Sequence, residues 1–177
     1  MAADFRKAKR EAELLLEKYS ITRPPVDPEW LAEQEGLKVL YANFNEPYKN
    51  QYSGVYDKNH KTASGLGAIV INNDISVERA NWTIAHELGH FILHGDWISS
   101  QENSVIYRSN DWTGANKPYQ EQEADAFAAN LLMPEEFVVR YERAFKSDSI
   151  LAGLFHVSEP AMRFRLLNLR KRGLLVG

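Results

Sequence analysis

The segment NWTIAHELGHFILHG, residues 81–95, places three of the chain's five histidines within nine positions. His86, Glu87 and His90 form the pattern H-E-x-x-H. On an α-helix, residues four apart stand one turn above each other on the same face. Two imidazoles so placed can reach one metal ion at about 2.0–2.1 Å. Glu87 points about 100° round the axis from His86. There it sits beside the metal and can act on a water held by the ion without being a ligand itself. The chemistry implied is metal-assisted hydrolysis with Glu87 as general base. His94 continues the stripe, but it lies about 12 Å from His86 along the axis, too far to share the ion. It reads as a helix-terminus residue, favourable there when protonated. The longer pattern H-E-x-x-H-x-x-G-x-x-H fails, because Leu93 stands at its glycine and Asp96 at its last histidine.

Two histidines leave a catalytic zinc site one protein ligand short. The natural donor is a carboxylate on a second helix packed against the first. YQEQEADAFAANLLMP, residues 119–134, offers Glu121, Glu123 and Asp125. Ala124, Ala128, Leu131 and Leu132 mark its buried face, and its small alanines permit close helix approach. Glu121 precedes Ala124 and Ala128 by three and seven positions, so it shares that face and is favoured as third ligand over Glu123, which points toward the side of Phe127 and Asn130. Asp125 lies one turn on, where it can accept a hydrogen bond from a ligating imidazole.

The elements that must position these groups are legible from periodicity. Apolar spacing predicts a helix over residues 3–19, and Asp27 with Pro28 reads as N-cap and first position of a short second helix. LKVLYANF, QYSGVYD and LGAIVINND read as strands. A long helix runs from about Ser76 to His94 and stops at Gly95. Residues 96–118 are polar and aperiodic, the longest irregular stretch of the chain. Helices resume at Tyr119 and continue through EEFVVRYERAF, DSILAGLF and SEPAMRFRLLNLRKR. The sum is one α+β domain over residues 1–177: N-terminal helices and a small sheet (1–75), the metal-site helices (76–133) and a C-terminal helical region (134–177). Trp82 and Phe127 fall among apolar positions at helical spacing and read as core.

Composition narrows the function classes. Hydrophobic residues make up 44% and charged residues 25% of 177, the balance of a globular protein with a sizeable core. The net charge of -3 gives no reason to expect nucleic-acid or membrane binding. No apolar run is long enough to span a bilayer, and the amphipathic start is not a secretory signal, so a cytoplasmic location is expected. There is no cysteine, so any transition metal is held by His, Asp or Glu. His/His/Glu suits zinc, and manganese or iron could also occupy it.

WTIAHELGHFILH, followed by EQEADAFAANLLMP, closely resembles the ImmA/IrrE family of metallopeptidases. PVDPEWLAEQEGLKVLY, SGVYD, GAIVINN and ILAGLFHVSEPAMRFRLLNL extend the resemblance over roughly residues 10–170. The resemblance implies a minimal zincin-like (thermolysin-like) fold and endopeptidase activity toward helix-turn-helix repressors, relieving repression. It also implies His86, His90 and Glu121 as metal ligands and Glu87 as the catalytic residue. Where many members carry Asn, this chain has Asp125. Some members have an added sensor or DNA-binding domain, for which 177 residues are expected to leave no room.

Tyr107, Tyr119, His156 and Arg163 are candidate donors to the oxyanion that forms on peptide attack. The GAIVI strand is a candidate free edge on which substrate could add as a further strand. The main alternative is a partner-binding protein that retains the metal for structure and regulates a helix-turn-helix protein without cutting it. A second is nucleic-acid binding through MRFRLLNLRKR, against which a solvated basic face is the simpler reading.

Overall fold

A computed structural model describes residues 2–46, 48–100, 105–107 and 117–175. Its elements are α1 (Phe5–Lys18), α2 (Pro28–Gln34), β1 (Lys38–Ala42), β2 (Gly54–Asp57), β3 (Ala68–Asn72), α3 (Val77–Ser100), β4 (Val105–Tyr107), α4 (Tyr119–Leu132), α5 (Glu135–Glu142), α6 (Asp148–Phe155) and α7 (Glu159–Lys171). The strands form one four-stranded sheet in the order β1-β3-β2-β4. β1 runs parallel to β3, with Leu40 opposite Val70, and the other pairings are antiparallel.

Local chemistry sets the helix starts. Asp4 Oδ1 accepts from the Arg6 and Lys7 N–H groups and caps α1. Asp27 Oδ1 accepts from Trp30 N–H at 3.0 Å, and Pro28 follows at the first helical position. Ser147 and Ser158 cap α6 and α7 in the same way. Asn72 fixes the turn from β3 into α3. Its buried amide donates to the Lys49 and Tyr52 carbonyls, while its oxygen accepts from Asp74 N–H.

α3 is the element around which the rest is arranged. It packs on β2 and β3 on one side and on α1, α2 and α4 on others. Ile84 and Leu88 of α3 join Ile69 and Ile71 of β3 and Phe127, Ala128 and Leu131 of α4 in the core, all with no exposed surface. Burying a side chain of the Leu, Ile or Phe class stabilises the fold by about 1.5–3 kcal/mol. Two glycines permit the close approaches. A Cβ on Gly54 would stand 2.8 Å from Thr83 Cγ2 of α3, and one on Gly89 would stand 2.9 Å from the Phe127 ring of α4. The glycine inside HELGH is therefore a packing requirement between the two site helices, not a catalytic one.

Three expectations are corrected. α3 does not stop at Gly95: it bends at His94, whose φ of -132° and ψ of 28° are not helical, and then continues to Ser100. The stretch 96–118 is not wholly irregular, since it holds the end of α3 and strand β4; residues 101–104 and 108–116 lie outside the described residues. The GAIVI strand is no free edge. β3 pairs with β1 on one side and β2 on the other, so it has no unpaired side for a substrate strand.

Candidate metal centre

α3 and α4 lie side by side and bury a polar cluster between them. His86 is fully buried, and His90 and Glu121 are 3% exposed. Glu121 Oε1 lies 2.9 Å from His90 Nε2, and Glu121 Oε2 lies 3.3 Å from His86 Nε2. The two Nε2 atoms are 3.0 Å apart. One ligand atom from each residue falls within 4.8 Å of the others, an arrangement that can hold a metal ion. A tetrahedral zinc with bonds near 2 Å spaces its ligand atoms by about 3.3 Å, close to the separations seen.

The donor chemistry fits a divalent cation. Asp125 Oδ1 accepts from His86 Nδ1 at 2.9 Å. With the proton fixed on Nδ1, the neutral ring turns an unprotonated Nε2 toward the cluster. Burial, only partly opposed by Glu121, lowers the His90 imidazole from 6.5 to about 4 and leaves it neutral at physiological pH. Burial would raise the Glu121 carboxyl, but the His86 and His90 imidazoles beside it outweigh burial and hold the group below the usual carboxylate range. A neutral His90 imidazole beside the Glu121 carboxylate is in the protonation state that ligation needs. Glu121 Oε2 is buried and takes no hydrogen bond from the described residues, an acceptor that a cation would satisfy.

The structure brings His86, His90, Glu121 and Asp125 together. Glu87 is 2% exposed, one residue along α3 from His86. Glu123, the competing candidate, is turned elsewhere. It is buried, accepts from Asp4 N–H at 2.6 Å and stands 3.4 Å from His94 Nε2. His94 is likewise no exposed, protonated helix end: it is 8% exposed, and burial lowers its pKa.

Of the oxyanion candidates, Tyr119 packs edge-on against His94 with centroids 6.4 Å apart. Arg163 is held by Asp148 and Glu159, and His156 is an exposed residue capping α6 in the left-handed conformation. Among the described residues, no hydrogen bond or ion pair joins these three to His86, His90 or Glu121, and the Tyr107 side chain lies outside them.

Sequence reasoning missed Lys117. Its ammonium is bonded to Asp125 Oδ2, the oxygen opposite the one that holds His86. The Lys117 carbonyl accepts from Gln122 Nε2 at 2.8 Å, tying the approach of the chain to the first turn of α4. No periodicity relates a residue outside the helix to Asp125, so only the turn into α4 shows the contact. The basic C-terminal helix is also not simply a solvated face. Arg165 is 8% exposed, donating to Met133 O at 3.0 Å and Asn130 Oδ1 at 2.9 Å.

A small sheet backing a helix with two buried histidines, completed by a carboxylate from the neighbouring helix, is the arrangement of a minimal zincin. The chain belongs to the IrrE N-terminal-like domain family of peptidases, whose model matches residues 32–167. It is similar to the uncharacterized immunity region protein 2 of Bacillus phage phi105, at 28% identity over 143 residues that cover 80% of this chain and 78% of that protein. Its fold is similar to that of a Mycobacterium tuberculosis transcriptional regulator, with a TM-score of 0.62 and 16% identity over 91% of this chain. This chain spans 46% of that protein's length. Among the described residues, no helix is long and apolar enough to cross a membrane.

Proposed function

We propose that this chain is a zinc-dependent endopeptidase that cleaves a helix-turn-helix repressor and so relieves repression. The observation that carries the reading is the convergence of His86, His90 and Glu121 within 4.8 Å, buried between two helices of a peptidase-family fold. Zinc held there would supply Lewis acidity and a lowered water pKa. The rest falls to the chain's own residues. Glu87 takes the proton of the attacking water and delivers it to the departing amine nitrogen. Asp125 keeps the His86 ring in the tautomer that presents Nε2, and Lys117 holds Asp125 in place. Similarity to a phage immunity region protein and to a transcriptional regulator supports a role in transcriptional control.

The test compares wild type with Glu87→Gln in lysate of the source cell supplemented with zinc, reading new protein N-termini by mass spectrometry. The expected outcome is a new terminus within a helix-turn-helix protein with wild type only, while both forms bind zinc equally. Loss of a general base costs about 10²–10⁴ in rate. An intact protein co-purifying with both forms, with no new terminus, would instead establish binding without cleavage.

A further inference from the structure

One helical turn before Glu87, Thr83 lines the end of a cleft of about 1360 Å³ that runs along α4 to α7 and the start of α1. Asp125, which holds His86, forms part of the same wall. The cleft therefore reaches the carboxylate that orients His86. Its floor is apolar and low: Ala126 and Ala129 stay half-buried where Ala124 and Ala128 are fully buried. Small side chains there leave room for bulky ones from a partner. Two phenylalanines stand exposed at its margin, Phe164 at 68% and Phe5 at 55%.

Charge is distributed unevenly. The whole chain carries -3, yet the cleft is lined by six Arg or Lys side chains and by only two carboxylates, Glu78 and Asp125. Lys9 and Arg172 are compensated, both reaching Glu135 Oε2. Arg79 donates to the neutral Ser53 hydroxyl, and Arg165 to neutral oxygens of α4. Arg6 and Lys171 are exposed and make no ion pair among the described residues. An apolar floor with a basic rim is complementary to a segment that is apolar on one side and acidic at its edges.

Resting on the peptidase reading, we infer that this cleft is where the protein substrate docks, through an amphipathic segment bearing carboxylates. Its apolar side chains settle on Ala126, Ala129 and Phe164. Its acidic groups meet Arg6, Arg79 and Lys171. The cleft selects substrates by charge and brings them to the wall where Asp125 holds His86.

Binding without turnover tests this. Full-length Glu87→Gln, loaded with zinc, is titrated into fluorescent amphipathic peptides of about five helical turns, identical in leucine content but carrying glutamates or lysines on the polar face. The expected result is binding of the acidic peptide at least about tenfold tighter than the basic one, weakening with salt. Arg6→Glu with Lys171→Glu, both exposed and harmless to the core, should erase or invert that preference. Ala129→Trp, which fills the floor with the rim intact, should weaken both peptides. Equal binding of the two peptides, or a preference unmoved by the double substitution, would overturn the proposal. Displacement of the acidic peptide by a DNA duplex would also overturn it, assigning the basic rim to nucleic acid. Because the readout is affinity alone, absence of cleavage by wild type with the preference intact would count against the peptidase and not against the cleft.

Discussion

α4 carries two buried charged clusters on different faces, and they differ in how their charges are compensated. Toward α7, Arg165 donates to Met133 O and Asn130 Oδ1, and Asn130 Nδ2 donates in turn to Ala126 O at 2.7 Å. Donors meet acceptors, and the contact ties the C-terminal helix to the end of α4. Toward α3, two imidazole Nε2 atoms and a carboxylate crowd one point, with separations of 2.9–3.3 Å. There acceptors outnumber donors, since His86 already gives its Nδ1 proton to Asp125 and Glu121 Oε2 takes no hydrogen bond from the described residues. Buried polar groups that compensate each other hold structure, whereas buried acceptors that converge define a place for a cation. The same helix does both because its faces are turned to different neighbours.

Substitutions can separate the two roles. The largest effect on stability should come from Arg165→Met, which strands Met133 O and Asn130 Oδ1 and should lower unfolding free energy by about 1–3 kcal/mol. Denaturant titration would read this loss, while zinc affinity should stay at the wild-type value. A loss of zinc affinity there would show that the clusters are coupled. Asp125→Ala acts in the opposite sense. It should weaken zinc about 10–100-fold by releasing the His86 ring, as read by chelator competition. Lys117→Met, one contact further out, should produce a smaller weakening in the same assay, and Lys117→Arg should restore most of it. Equal affinities in all three variants would remove Asp125 and Lys117 from the account.

How much of this the sequence discloses depends on whether the signal is local. The pair His86 and His90 is four residues apart on one helix, and that spacing alone sets them one turn apart. Glu121 and Asp125 are legible because α4 has a clear apolar face, against which each carboxylate can be placed. The helix start at Asp27 follows from capping chemistry. Properties that depend on partners far along the chain are not legible. That β3 is central is decided by its pairing with β1 across an intervening strand, and neither strand's composition states it. The burial of His94 follows from Glu123 and the start of α1 closing over it, not from its position near a glycine. Arg165 looks like one more basic residue in a run of them until the α4 carbonyl it reaches is known. The cleft beside Thr83 likewise exists only where α1, α3, α4 and α7 meet.

On the reading proposed above, His86, His90 and Glu121 form one metal site whose carboxylate comes from α4. The most direct test is calorimetric titration of zinc into metal-free wild type and Glu121→Gln, a change that keeps side-chain volume and removes the charge. One zinc per wild-type chain is expected, with an affinity lower by about 100-fold or more in Glu121→Gln and the folded structure retained. Equal, stoichiometric binding by both proteins would contradict it and place the third ligand elsewhere.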